Sequence, residues 1–127
     1  MFKITAGIKI SVETSYQPGY SNPLGNDFMF AYKITIENTN DFPVKLLSRH
    51  WNIFDSNGTS REVHGDGVVG IRPLLNPGEQ YQYVSGCNLK TEIGKMQGSY
   101  LFENINNGKK FYVVIPTFQM SAPFKLN

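Results

Sequence analysis

The chain has 127 residues, 40% of them hydrophobic and 17% charged, with a formal net charge of +2. That length supports one domain with a core of its own, and the composition is that of a globular chain, not a disordered one. So small a charge, with Lys109-Lys110 as the longest basic run, excludes the clustered basic face that nucleic acid needs. In chain order, Ile8, Ile10 and Val12 alternate with Lys9, Ser11 and Glu13, which predicts a first strand with one apolar face. Tyr16 to Asp27 reads as a loop, because Pro18-Gly19, Ser21-Asn22-Pro23 and Gly25-Asn26 are turn chemistry. Phe28, Phe30, Tyr32, Ile34 and Ile36 then face one way and Met29, Ala31, Lys33, Thr35 and Glu37 the other. Only period two keeps those five large side chains together.

Asn38 to Asp41 turns the chain, and a strand follows Pro43. Val44 and Leu46 have one parity, while Leu47, Arg49, Trp51 and Ile53 have the other, so a β-bulge near Leu46-Leu47 is expected. Asp55-Ser56-Asn57-Gly58 tolerates positive φ and predicts a hairpin, with Thr59 to Val63 returning. Asn76-Pro77-Gly78-Glu79 fits a type II turn, and Tyr81 and Tyr83 begin another strand. Ser85 to Gly98 reads as an irregular crossing segment punctuated by Gly94 and Gly98. Tyr100 and Phe102 face inward, Asn106-Asn107-Gly108 closes a hairpin, and Phe111, Val113 and Ile115 form a last strand stopped by Pro116. Phe118, Met120 and Phe124 follow without a regular period. Seven or more short strands and no helical stripe predict an all-β fold, an antiparallel β-sandwich occupying residues 1–127 as one domain.

The stretch from Leu46 to Gly70 holds the only Trp, both His residues and a G-x-G-x-x-G motif at Gly65, Gly67 and Gly70. A dinucleotide site would need a helix after those glycines. Pro73 and Pro77 forbid one of any length, so that chemistry loses its mechanism. His50, His64 and Cys87 are the candidate transition-metal ligands, at no recognisable spacing, and Asp55, Glu62 and Asp66 are scattered among neutral residues. Neither metals nor other cofactors are predicted. Ser48, His50, His64 and Asp66 are types a hydrolase uses, yet no G-x-S-x-G elbow positions a serine, so no catalytic residue is predicted either. Cys87 is expected to be a buried structural thiol. As the lone cysteine it cannot close an internal disulfide, and Met1 to Thr5 lacks a signal peptide's apolar run, so the expected location is cytoplasmic. No apolar run reaches the length of a membrane span.

The run Leu46-Leu47-Ser48-Arg49-His50-Trp51, then Asp55, Asn57-Gly58, Glu62-Val63 and Gly65-Asp66-Gly67-Val68-Val69-Gly70, resembles the ApaG family. Pro73, Leu75, Pro77-Gly78-Glu79, Tyr83, Ser85-Gly86-Cys87, Leu89, Thr91, Gly94, Met96, Gly98 and Tyr100 extend the resemblance over nearly the whole chain. It implies a stand-alone bacterial protein with an immunoglobulin or fibronectin type III-like sandwich. It also implies a protein-interaction module linked to cobalt tolerance and magnesium efflux. Efflux needs a path through the bilayer, so a link through a protein partner or a metabolite is expected. Two departures stand out: Asn88 where members commonly have Pro, and Ile71-Arg72 in place of a more polar pair.

From these residues the expected functional surface comprises Arg49, His50, His64, Gly65, Asp66, Gly67, Gly70 and Arg72. It would take either an as yet unidentified protein partner or, in the alternative, a phosphate-containing or other small metabolite. Backbone N–H groups of the glycine loop would form an anion nest, with Arg49, His50, His64 and Arg72 supplying positive charge. The competing expectation is that the glycines serve only tight turning and close packing.

Overall fold

The computed structural model describes residues 1–123, so Phe124 lies outside the described residues. Nine strands run β1 (Phe2–Thr5), β2 (Ile8–Tyr16), β3 (Phe28–Asn38), β4 (Val44–Asp55), β5 (Ser60–Asp66), β6 (Leu74–Leu75), β7 (Gln80–Leu89), β8 (Ile93–Asn104) and β9 (Lys110–Ser121). Among the described residues the helical content is two single 3-10 turns, Pro18–Tyr20 and Pro23–Gly25, both inside the predicted loop. One sheet has the order β1-β2-β3-β7 and the other β5-β4-β8-β9, with β6 also paired to β4, and every pairing is antiparallel. The result is the predicted two-sheet sandwich.

Alternation explains the layers. Phe28, Phe30, Tyr32, Ile34 and Ile36 are all buried, and Ile8, Ile10 and Val12 lie beside them on β2. From the facing sheet Leu46, Trp51, Met96, Tyr100, Phe102, Val113 and Ile115 close the core. Trp51 meets Tyr32, Tyr100 and Phe118 edge to face, with ring centroids 5.5, 6.4 and 5.9 Å away, contacts that add to simple area burial. The Tyr83 and Tyr100 hydroxyls hydrogen-bond to each other inside the core, and loss of solvent raises the pKa of both phenols. Asn38, fully buried, donates through its amide to Phe42 O at 2.9 Å and Leu75 O at 3.0 Å, and accepts from Asn40 N–H at 3.0 Å. Every polar group of that side chain is thereby satisfied.

The bulge expected near Leu46-Leu47 is present: pairing with β8 shifts register between Leu46 and Ser48. Four expectations need correction. A strand, β1, precedes Ile8, formed because Ala6 and Gly7 adopt positive φ and turn the chain back. The returning strand of the β4–β5 hairpin does not stop at Val63 but runs through Gly65 to Asp66, so the first two residues of the glycine motif are strand. The segment from Ser85 to Gly98 is not irregular, since β7 and β8 leave only residues 90–92 between them. Asp55 holds that connection, its carboxylate accepting from Lys90 N–H at 2.8 Å and Thr91 N–H at 3.1 Å. Pro116 does not end β9, because it falls where the β8–β9 register shifts, with Met96 opposite Phe118 but Gly98 opposite Ile115. A bulge on an edge strand has no need of the missing N–H. Asn88 lies within β7, opposite Met29.

Candidate binding surface on the β4–β5 hairpin

Turn chemistry sets the position of every residue here. Gly58, at φ +90°, closes a loop in which its N–H donates to Asp55 O at 3.1 Å, while Asp55 N–H donates to Thr59 O at 2.9 Å. The register that follows places Trp51 opposite Val63, His50 opposite His64, Arg49 opposite Gly65 and Ser48 opposite Asp66. The hairpin and its continuation thus bring Arg49, His50, His64, Gly65 and Asp66 around one cleft of about 430 Å³, also lined by Tyr112. A larger cleft, of about 550 Å³, lies at the far end of β4 beside Phe54, Ile93 and Phe118, and contains none of the predicted site residues.

The two faces of the ladder differ. Arg49 has the inward parity of Trp51 and lies over Gly65, where a Cβ would come within 2.6 Å of the guanidinium. Its Nη1 donates to Asp66 O and Gly67 O, each at 3.0 Å. Arg72 pairs with the Asp66 carboxylate at 3.3 Å. Gly67 N–H donates to Leu47 O at 2.8 Å, Val68 N–H to Ile71 O at 2.8 Å, and Ile71 N–H to Val68 O at 3.1 Å. Both arginines and three loop amides therefore already have partners within the chain. Gly67 has φ +58°, and a Cβ there would sit 2.0 Å from Ile71 O, so a Gly67→Val variant reports on folding before it reports on binding.

Between Val68 and Ile71 the chain reverses through Val69 at φ +46° and Gly70 at φ +81°. Those angles are those of a type I′ turn, whose first central position favours Asn and disfavours a β-branched residue. Val69 is also 60% exposed, so little burial offsets the strain. Val69→Asn should raise stability by about 1 kcal/mol, a rise of about 4 °C in melting temperature for a chain of this size. A fall on thermal unfolding would mean that the valine side chain makes a contact outweighing its backbone.

On the outward face, His50 and His64 stack at 4.1 Å between centroids with planes 9° apart. Both Nε2 atoms turn to one oxygen of Glu62, at 3.0 Å from His50 and 3.1 Å from His64, instead of to Ser48. Hydrogen bonds from His64 and His50 lower the Glu62 pKa. Glu62 is the residue that the predicted site omitted. The signal was available: with Trp51 opposite Val63, Glu62 lies one pair beyond His50 on the same face. Cys87 is buried, as expected, and loss of solvent raises its thiol pKa. Arg61 approaches it at 3.6 Å and donates to Asn88 O at 2.7 Å, tying β5 to the edge of the other sheet.

Strand order and this hairpin define the class: an antiparallel sandwich of the immunoglobulin and fibronectin type III kind, with its polar cluster on an edge hairpin. Comparison with known proteins narrows it. The ApaG domain model matches residues 18–104, and the chain belongs to that family. It is 45% identical over 120 residues to "Protein ApaG" of Pseudomonas aeruginosa strain LESB58, covering 94% of each chain. Against "Protein ApaG" of Agrobacterium fabrum identity is 43%, covering 94% of this chain and 92% of the relative. A crystal structure of an ApaA protein from Bordetella pertussis superposes with a TM-score of 0.89 at 40% identity, covering 98% of this chain and 97% of that one. The C-terminal domain of wzt, at 8% identity and a TM-score of 0.57, shares the fold alone.

Proposed function

We propose that this chain is a non-catalytic, cytoplasmic interaction module that receives an extended segment of a partner protein along β5. The observation that carries this reading is the open edge of that strand. Among the described residues β5 pairs only with β4, and six of its seven residues are exposed. Thr59 O and Gly67 N–H bond across to β4, so by antiparallel alternation the N–H and C=O of Glu62 and His64 point away from it. A row of outward backbone groups is what strand addition uses. Arg61, anchored on Asn88, holds the strand in place before any partner arrives, which lowers the ordering cost of binding.

The alternative, a phosphate or small-metabolite sensor at the glycine loop, draws less support, because Arg49, Arg72 and the amides of Gly67, Val68 and Ile71 are engaged within the chain. A role in cobalt tolerance and magnesium efflux then runs through the partner. Among the described residues no helix is long and apolar enough to cross a membrane.

The test compares Glu62→Pro with Glu62→Gln. Proline removes one outward N–H without breaking a bond to β4 and is tolerated on an edge, whereas glutamine keeps that N–H. In affinity capture from native lysate read by mass spectrometry, a protein held by the wild type and by Glu62→Gln should be lost from Glu62→Pro, at unchanged melting temperature. Equal capture by all three would place the interaction elsewhere.

A further inference from the structure

The outward face of the hairpin carries a cluster that strand addition does not use. His50 and His64 form a pair in the register where no hydrogen bonds link the two residues, and such pairs bring side chains closest together. Their rings stack, and both Nε2 atoms approach the same carboxylate oxygen of Glu62. The three potential ligand atoms lie within 4.8 Å of one another. We infer that His50, His64 and Glu62 form a site for one divalent ion of borderline softness, Zn²⁺ or an ion of like chemistry, on the outer face of the β4–β5 ladder.

Geometry supports this. Bonds of 2.0–2.2 Å to a tetrahedral ion put neighbouring ligand atoms about 3.3 Å apart. The observed Nε2 to Oε2 separations of 3.0 and 3.1 Å need to open by only a few tenths of an ångström. The rings must also tilt from parallel so that both lone pairs converge. The side chains are free to do so, at 37%, 67% and 59% exposure for His50, His64 and Glu62. An ion would take the place of the two Nε2 protons that join the imidazoles to the carboxylate, each neutral ring then carrying its proton on Nδ1. All three ligands sit on adjacent strands fixed by one hairpin, so no backbone segment must close. The donor set also decides the metal: two imidazoles and one carboxylate suit Zn²⁺, whereas Mg²⁺ prefers oxygen ligands and retained water. Three protein ligands leave a fourth position to water or to a ligand from another molecule. Sequence spacing alone did not predict a metal, because the ligands are divided between two strands.

The experiment is calorimetric titration of the untagged, full-length chain with Zn²⁺, with His50→Gln, His64→Gln and Glu62→Gln alongside. The wild type should bind one ion, and each substitution should weaken binding by at least about tenfold, since each removes one of three ligands. Zinc should also shift the imidazole NMR signals of both histidines, and Cys87→Ala should bind as the wild type does. The exposed substitutions are expected to leave the metal-free melting temperature within about 2 °C, so lost binding would not reflect lost folding. Equal affinity in the three variants, loss of binding in Cys87→Ala, or displacement of zinc by excess Mg²⁺ would each overturn the assignment. The readout involves no partner protein, so it stands or falls apart from the strand-addition test.

Discussion

Gly98→Ala is expected to lower the unfolding free energy by about 3 kcal/mol, at the upper end of overpacking costs, and the melting temperature by about 10 °C. Gly98 lies in the central strand β8, opposite Trp51 on β4 and Ile115 on β9. A Cβ there would stand 2.2 Å from His50 O and 3.0 Å from Trp51 Cε3. The first neighbour is backbone of the adjacent strand and the second a fully buried ring, so neither can move aside alone. The strands must separate or Trp51 must leave its place against Tyr32 and Phe118. Gly86 is the control. Its Cβ would find only ordinary contacts, 3.5 Å to Met29 Sδ and 3.6 Å to Phe30 O, so Gly86→Ala should change stability by less than about 1 kcal/mol. Thermal or urea unfolding of both variants checks the contrast; similar losses at the two positions would mean that the clash does not govern.

Arg49→Ala should destabilise the fold by about 1.5–3 kcal/mol, the range for hydrogen bonds from a charged donor. The guanidinium bonds Asp66 O and Gly67 O at 3.0 Å each and fills the space above Gly65. Removing it frees both carbonyls and opens a gap beside the glycine turn. Lys should restore little, because a single ammonium lacks the planar spread that spans both acceptors. The side chain and the glycine are also coupled. Gly65→Ala should cost clearly more in the wild type than in the Arg49→Ala background, where the obstructing guanidinium is gone, and a double-mutant cycle measures that difference. An Arg49→Ala protein that kept its melting temperature while losing a ligand would instead make Arg49 a binding residue.

Much of the architecture was determined by the sequence alone, because a strand with one buried face writes its own pattern. Alternation over Phe28–Ile36 located β3 and named its inward residues, and the parity break at Leu46-Leu47 located the bulge. The turns at Gly58 and Gly78 were legible because positive φ there demands glycine. Gly94 and Gly98 misled, since a glycine that makes room for a neighbouring strand looks the same as one that breaks a strand. Only tertiary packing tells them apart: the Cβ of Gly94 would meet Leu89 and Phe54 at 2.6 Å. Pro116 misled for a similar reason, because its tolerance depends on an edge position and a register shift that arise when β9 docks. The grouping of Arg49, His50, His64 and Gly65 followed from the hairpin turn, but the division of their roles did not. Strand register put Glu62 on the face of the two imidazoles, within reach of both Nε2 atoms, and turned Arg49 to the opposite face, because residues on one strand alternate sides while partners across the ladder share one.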